Sequence, residues 1–179
     1  MIVKSISHTS DRKSARKLIK YIFDARKPLK DNEGNQLIFK QHIRGFEDKD
    51  KWAKQFENLE QGRQSFYANK SVICYHEVIS FSDKSTKYLN RVIIKDLVNK
   101  YIKLRSNEEM LCVGAVHFEK NKNYHAHLIF SGLKTSDYKS ARISKKRLSD
   151  IKNQLQAYQI NKYPQLEDSV VRHGLKKKN

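Results

Sequence analysis

Hydrophobic and polar positions along the chain follow two periods, one typical of strands and the other of helices. Short apolar runs rich in β-branched and aromatic residues predict strands at 2–7, 71–81, 110–118 and 124–132, with a weaker candidate at 36–46. Apolar residues spaced three and four apart predict helices at 9–25, 48–66, 83–105 and from about Ser144 to just before Pro164.

The order of these elements predicts the fold class. The polar stretch 119–123 joins the last two strands and indicates a hairpin. Strands alternating with helices around such a hairpin favour an α+β fold, in which helices pack on a central antiparallel β-sheet. The 179 residues suit a single domain, 1–179, either complete or as the N-terminal part of a longer protein.

Helix ends can be predicted from residues that bond to free backbone amides. We expect Thr9 or Ser10 to cap the first helix, and Ser85 or Thr86 to cap the third. The inward stripe of the third helix is then Leu89, Val92, Ile93, Leu97 and Tyr101.

Composition excludes some classes of protein. No apolar run is long enough to cross a membrane, and the N-terminus lacks the apolar region of a signal peptide. Cys74 and Cys112 lie in apolar, strand-like sequence without a CxxC pattern, which indicates buried free thiols in a reducing compartment. We therefore predict a cytoplasmic protein without membrane insertion.

The charge balance indicates the kind of partner. Lys and Arg number 37 against 19 acidic residues, which gives a formal charge of +18. Such an excess favours a polyanion, of which nucleic acid is the commonest. Anionic lipid is the alternative, but we find no basic amphipathic helix with an aromatic-rich apolar face. Nucleic acid is the favoured interpretation.

Three of the seven histidines lie within the last two predicted strands. If 118 and 124 close the hairpin, His117 lies opposite His125, and these two share a face with His127. Neutral imidazoles bind Mn, Zn, Ni or Co, and three protein ligands leave positions open for substrate. Glu119 could complete the shell or orient a histidine. The alternative, hydrogen-bonded core or surface histidines, is disfavoured because packing gains nothing from clustered polar rings.

A metal on a basic protein suggests phosphodiester chemistry, which also needs a nucleophile. The sequence has no carboxylate cluster typical of two-metal nucleases, so a tyrosine that forms a covalent ester is the best option. Tyr21 is our candidate, because Lys20, Arg26 and Lys27 surround it with positive charge that can bind phosphate. In isolation, a tyrosine in an amphipathic helix is more often a packing residue.

Rival nucleophiles lie beside the histidines. Tyr75 and Tyr124 each adjoin a histidine on a strand, so their side chains are expected on the opposite face. His8 is a further rival.

Three segments together resemble the relaxases of mobilisable plasmids and conjugative elements, within the HUH endonuclease class. "LIKYIFDARK" resembles the first motif of that family, whose tyrosine is the nucleophile, and this maps to Tyr21. "YHEVISFSDKS" resembles the second motif, at His76, Ser80 and Phe81. "HFEKNKNYHAHLIFSG" resembles the third, metal-binding motif of His117, His125 and His127.

The resemblance implies site- and strand-specific nicking of single-stranded DNA at an origin of transfer. The tyrosine would remain joined to the 5′ phosphate, with one divalent metal ion holding the scissile phosphate. Mn²⁺ or Mg²⁺ is foremost, and Zn²⁺, Ni²⁺ or Co²⁺ are further options. It also implies accessory relaxosome proteins and a coupling protein of a secretion system.

Further residues receive roles from the motifs and the charge pattern. Ser80 and Glu119 join Tyr21 as catalytic candidates, although an exposed serine at a strand end is nearly as good an interpretation of Ser80. The candidates for DNA binding are Lys20, Arg26, Lys27, His76, Arg142, Lys145, Lys146 and Arg147. His42 and His173 match no motif.

Two departures from the family pattern stand out. The family usually has Asp where this chain has Glu119, and the hairpin turn here is one residue longer. Two other functions remain open: an HUH replication initiator or single-strand transposase, and a non-catalytic basic nucleic-acid-binding module.

Overall fold

The computed structural model describes residues 1–9, 11–26, 28–31, 33–67, 69–118 and 123–169. Within these residues the chain forms five strands and four α-helices. In chain order they are β1 (Ile2–His8), α1 (Ser14–Lys20), β2 (Ile38–Gln41), α2 (Lys49–Gln61), β3 (Cys74–Ser80), α3 (Arg91–Ser106), β4 (Cys112–Phe118), β5 (Tyr124–Ser131) and α4 (Lys145–Lys162). A π-helical turn, Tyr21–Ala25, continues α1, and 3₁₀ turns cover Thr86–Tyr88 and Pro164–Ser169.

All five strands form one sheet in the order β1-β3-β5-β4-β2. Every neighbouring pair is antiparallel. The predicted α+β class with a central antiparallel sheet is therefore confirmed, and the weak strand candidate at 36–46 contributes the short edge strand β2.

Helices cover both faces of the sheet, because side chains alternate between two apolar clusters. One face packs on α1, the π turn and α2 through Ile19, Ile22, Trp52, Phe56 and Ile129. We call it the histidine face, because His127 lies two residues before Ile129 on β5. The opposite face packs on α3 and α4, and this cluster contains Ile79, Leu97, Tyr101, Leu128, Phe130, Ile151 and Leu155.

A buried polar network ties the opposite face to α3. The Glu77 carboxylate accepts hydrogen bonds from Tyr101 Oη at 2.5 Å, Arg105 Nε at 2.8 Å and Ser5 Oγ at 3.0 Å. Glu77 is completely buried and Arg105 is 4% exposed. Burying these charges is tolerable because each is paired and hydrogen-bonded.

Gly114 lets β4 lie close to β5 beside the histidines. A Cβ atom at Gly114 would stand 2.2 Å from the backbone oxygen of His127 and 2.7 Å from Leu128. Any larger residue would therefore push the two hairpin strands apart.

Two predicted helix caps were wrong. The first helix begins at Ser14, later than Thr9, and Lys13 precedes it without a side-chain cap; Ser10 lies outside the described residues. The third helix begins at Arg91, because Asn90 accepts the bond from the Ile93 amide while Thr86–Tyr88 form a separate 3₁₀ turn.

One residue of the stripe predicted for α3 faces outward, whereas both cysteines are buried. Val92 is 73% exposed and so does not belong to the inward stripe of α3, whereas Leu89, Ile93, Leu97 and Tyr101 are buried as predicted. Cys74 and Cys112 are free and buried, as predicted. None of the described helices combines the length and apolar character that crossing a membrane requires.

Candidate active site

The β4–β5 hairpin brings three histidines onto one face of the sheet. His117 pairs directly with His125, and His127 pairs with Ala115 two positions along β4. Because side chains alternate along a strand, all three point to the histidine face. The shared face predicted from the sequence is confirmed by this register.

Two more histidines extend the group across the neighbouring strands. The ring of His127 lies 5.1 Å from that of His117 and 5.3 Å from that of His76 on β3, measured between centroids. The ring of His76 in turn lies 6.4 Å from that of His8 on β1. The result is a row of imidazoles that crosses β1, β3, β5 and β4, which we call the histidine row.

Hydrogen bonds fix the orientation of two rings. Nε2 of His76 lies 3.1 Å from Nδ1 of His127. His125 is bonded at both nitrogens, with Nδ1 2.9 Å from Ser80 Oγ and Nε2 2.9 Å from Asn123 Oδ1. An amide oxygen only accepts, so Nε2 of His125 donates to Asn123 and the Ser80 hydroxyl donates to Nδ1.

Burial keeps the histidine row uncharged. It lowers the pKa of His117 and of His76 to about 4, and that of His127 to about 3. Repulsion from neighbouring histidines and from Arg26 adds to the effect of burial on the pKa of His127. At neutral pH these rings carry lone pairs instead of positive charge, as metal ligands must.

The donor set fits a divalent metal, although it is not already arranged around one. Among the described residues, neither ring nitrogen of His117 has a hydrogen-bond partner, and both are buried. Within the same part of the chain, no group of three or more His, Cys, Asp or Glu side chains is placed to hold a metal together. His125 is bonded at both ring nitrogens, so one of these bonds must open before its ring can bind a metal.

Tyr21 lies at the open edge of this row. It begins the π-helical turn, and its ring centroid is 6.4 Å from that of His76 in an edge-on arrangement. The guanidinium carbon of Arg26 lies 4.8 Å from the centre of the Tyr21 ring. Tyr21 is 39% exposed, so a DNA strand can reach it from solvent.

The rival phenols face away from the histidine row. Tyr75 precedes His76 on β3 and packs in the cluster of the opposite face. Tyr124 precedes His125 and lies against Phe118, with ring centroids 4.9 Å apart. The expected direction of both side chains is confirmed.

Comparison with known protein families identifies the family to which this chain belongs. Residues 21–160 match the family model of relaxases described as MobA/VirD2-like, nuclease domain. The chain belongs to this relaxase family. Its members are DNA-nicking endonucleases, so this relaxase is an enzyme and not a non-catalytic binding module.

Solved structures share the fold of this relaxase at low sequence identity. A conjugative relaxase, TrwC, in complex with oriT DNA and copper has a TM-score of 0.57 at 12% identity, covering 98% of this chain and 73% of that one. A structure on vancomycin resistance transfer in Staphylococcus aureus has a TM-score of 0.55 at 15% identity, covering 94% of each chain. Comparison with the curated proteins gives no significant match.

Part of the histidine face of the relaxase is open to solvent next to Tyr21. The edge strand β1 presents Ile2 and Ile6 there, 52% and 50% exposed, with Lys4 exposed between them. These side chains lie beside Ser80, Val78 and His76 in the strand register. This open floor is apolar and basic, which suits a strand of unpaired nucleotides.

The predicted basic residues fall into two separate groups. Arg26 lies over the Tyr21 ring on the histidine face, and the exposed Lys20 precedes Tyr21 in the chain. Arg142 and Lys145 line a groove with Tyr75 and Glu77, so they lie on the opposite face of the sheet. They follow the hairpin closely in sequence, but α4 packs behind the sheet, and their role in DNA binding stays a prediction. Lys27 and Glu119 lie outside the described residues.

Sequence reasoning missed Asn123 and Lys4, and it gave other roles to His8 and His76. Asn123 holds Nε2 of His125, and its Nδ2 donates to the backbone oxygen of Phe81 at 3.2 Å. His8 and Lys4 enter through pairing of β1 with β3. His76, predicted to bind DNA, is 7% exposed and contacts His127. Alternation along each strand is visible in the sequence, but the register that puts His8 and His76 on the same face as the hairpin histidines follows only from the strand pairing.

Proposed function

We propose that this relaxase nicks single-stranded DNA at an origin of transfer, with Tyr21 as the nucleophile and one divalent metal ion as cofactor. One observation carries the proposal. His76 bonds to His127 at 3.1 Å, and its ring also contacts that of Tyr21. A phosphate held at the histidines is therefore within reach of an exposed phenol.

The reaction is a transesterification. The Tyr21 oxygen attacks the phosphorus and forms a new bond to it, while the bond from phosphorus to the 3′ oxygen breaks. The electron pair of that bond leaves with the 3′ oxygen, which takes up a proton as the phenol loses one. The product is a 5′ phosphotyrosine and a free 3′ hydroxyl, and reversal rejoins the strand.

His117, His125 and His127 would hold the metal, with Mn²⁺ or Mg²⁺ foremost. When bound, such an ion polarises a non-bridging phosphate oxygen and stabilises negative charge in the transition state. The neutral state of His117 and His127 supports this role, since burial holds the pKa of the first at about 4 and of the second at about 3. Ser80 would orient His125 through the bond to Nδ1, and Glu119 would either complete the shell or orient a histidine.

Positive charge beside Tyr21 supports the same reaction. Arg26 lies over the phenol ring, and its charge adds to the effect of burial in lowering the pKa of His117, His125 and His127. A cation in this position attracts the scissile phosphate and stabilises a developing phenolate. Lys20 and Lys27 would add to this field along the incoming strand.

The DNA strand would cross the open floor of the histidine face. Exposed Ile2 and Ile6 offer apolar contact to bases, and Lys4 offers a phosphate contact. The charge of +18 supplies long-range attraction. We further propose that accessory relaxosome proteins and a coupling protein of a secretion system are partners.

A trapped covalent adduct tests the proposal. We expect wild-type protein, incubated with Mn²⁺ and single-stranded oligonucleotides from candidate origins, to give a protein–DNA band on a denaturing gel. Tyr21→Phe removes one hydroxyl and should abolish both adduct and cleavage. Tyr124→Phe is the matched control, because that phenol faces away from the histidine row, and it should nick at the wild-type rate.

Mapping the adduct separates the alternatives. A peptide carrying DNA on His8, Tyr75 or Tyr124 would show that Tyr21 is not the nucleophile. Full cleavage by Tyr21→Phe would overturn the mechanism. The relaxase family match favours an origin of transfer over the origin of a replication initiator or the ends of a transposon.

A further inference from the structure

A groove of about 430 Å³ lies on the opposite side of the sheet from the histidine row. It runs between strands β1 and β3 and the start of α4. Its lining includes Ser5, Ser7, Lys70, Tyr75, Arg142 and Lys145. None of these side chains takes part in the nicking mechanism described above.

The charge of the groove is positive. Lys70, Arg142 and Lys145 are exposed, while the charge of Arg105 at the floor is balanced by Glu77 at 2.8 Å. Glu77 already receives bonds from Tyr101, Ser5 and Arg105, so its carboxylate is committed to structure. Among the residues that line the groove, no acidic side chain is therefore left to pair with Lys70, Arg142 and Lys145.

The start of α4 is charged in a way that does not favour helix stability. Its first turn contains Lys145, Lys146 and Arg147 and no acidic residue. Cations at a helix N-terminus oppose the positive end of the helix dipole, whereas an anion there is stabilising. The Ser144 hydroxyl caps the amide of Arg147, at 3.0 Å. The arrangement of cations is unfavourable alone and becomes favourable once an anion is bound.

A buried hydroxyl in the groove also has an unused hydrogen bond. Tyr75 is 5% exposed, and its Oη has no hydrogen-bond partner among the described residues. Burial raises the pKa of this phenol, so it stays a neutral donor, while the charge of Arg142 acts in the other direction. Leaving such a donor unpaired costs free energy unless a ligand accepts from it.

We propose that this groove is a second anion site, which binds a phosphate group between Arg142, Lys145, the start of α4 and the Tyr75 hydroxyl. The site goes beyond the nicking reaction and does not depend on Tyr21. Its occupant is either a phosphodiester of the DNA strand after it passes around the β1 edge, or a free phosphate or nucleotide.

Inorganic phosphate tests the site directly. We expect titration into ¹⁵N-labelled protein, at ionic strength held constant with chloride, to shift the amide signals of Ser144, Lys145 and Lys146 in a saturable way. Tyr75→Phe removes one donor and should weaken phosphate affinity by about three- to tenfold. The double variant Arg142→Ala with Lys145→Ala should weaken it further. The matched control, Lys87→Ala with Lys95→Ala, removes the same charge from α3 and the turn before it and should bind like wild type.

A single-stranded dT₂₀ probe, which carries no origin sequence, identifies the source of the phosphate. If DNA supplies it, the Arg142/Lys145 double variant should bind dT₂₀ more weakly than the Lys87/Lys95 control. Its plot of log affinity against log salt should also be shallower, by about 0.7 for each phosphate that the variant no longer neutralises. Equal dT₂₀ binding by the two double variants, with phosphate binding abolished in one, assigns the site to a free phosphate or nucleotide.

The proposal is overturned if inorganic phosphate shifts no amide at the start of α4, or if both double variants bind it alike. A folded Tyr75→Phe variant with unchanged phosphate affinity overturns the role of the hydroxyl. Neither measurement involves strand cleavage, so failure here leaves the Tyr21 mechanism standing, and failure of that mechanism leaves this site untouched.

Discussion

Nε2 of His76 lies 3.1 Å from Nδ1 of His127. A side chain on β3 therefore fixes the orientation of the His127 ring on β5. When Nδ1 of His127 donates this bond, its Nε2 keeps the lone pair that a metal requires. The resemblance to the second family motif suggested DNA contact for His76. Its burial makes it a better candidate for orienting His127.

Replacing His76 by Ala should weaken Mn²⁺ affinity by about 10- to 100-fold, because the ring of His127 loses the bond that sets its tautomer. Isothermal titration calorimetry measures this. His42→Ala serves as control, because His42 is exposed and bonds the backbone oxygen of Glu108 instead. Wild-type Mn²⁺ affinity in His76→Ala would refute the orienting role.

Replacing His127 by Ala should abolish strand cleavage and leave DNA binding largely intact. The pKa of His127 is lowered to about 3 by burial, so the ring contributes no positive charge at neutral pH. Fluorescence anisotropy with labelled oligonucleotides should show wild-type affinity and salt slope, while a denaturing gel shows no cleaved product. Nicking at the wild-type rate would exclude His127 from the reaction.

The metal-free protein should lose stability as the pH falls below about 6.5. The folded-state pKa is about 4 for His76 and His117 and about 3 for His127, below the ordinary value of 6.5. The unfolded chain therefore binds more protons between about pH 6.5 and 4, and each ring contributes up to about 1.4 kcal/mol per pH unit.

Urea unfolding at several pH values, in the presence of a chelator, measures this dependence. His117→Gln removes one of the titrating rings and should flatten the slope. A free energy of unfolding that stays constant from pH 7 to 4 would contradict the buried, neutral state of the histidine row.

Breaking the Glu77–Arg105 pair should be costly on the other side of the sheet. Arg105→Met leaves the fully buried Glu77 carboxylate without its cation, and such losses cost about 3–5 kcal/mol. The double variant Glu77→Gln with Arg105→Met removes both charges and should recover part of that loss. Denaturant unfolding compares the two variants, and equal stabilities would mean that the unpaired Glu77 carboxylate carries no such cost.

Gly114→Ala should disturb the hairpin that positions the histidines. The added Cβ would lie 2.2 Å from the His127 backbone oxygen, so β4 and β5 must separate, at about 1–3 kcal/mol. We expect a lower unfolding temperature together with reduced Mn²⁺ affinity. Gly34→Ala is a useful comparison, since nothing crowds that position, although its positive φ adds its own backbone strain.

The sheet and the shared face of the hairpin histidines could be predicted from the sequence, because the period-two pattern and the parity of 117, 125 and 127 depend only on local order. The start of α3 could not. Ser85, Thr86 and Asn90 all have side chains that suit a cap, but Thr86–Tyr88 forms a separate 3₁₀ turn and Asn90 caps α3.

Relationships between distant strands were also hidden in the sequence. In the sheet, β3 lies next to β5 and β1 lies next to β3, so His76 and His8 join the histidine row. No local sequence pattern gives this strand order. Arg142 and Lys145 follow the hairpin in sequence but lie behind the sheet, because the apolar stripe of α4 packs against α3.

Strand β3 carries His76 and Glu77 side by side, facing opposite sides of the sheet. A slip of one residue in its pairing would turn both over at once, placing a carboxylate among the imidazoles and an imidazole against Arg105. Such a molecule would lose its buried ion pair together with its histidine row. The buried ion pair on one face therefore favours the same register that places the histidines together on the other face.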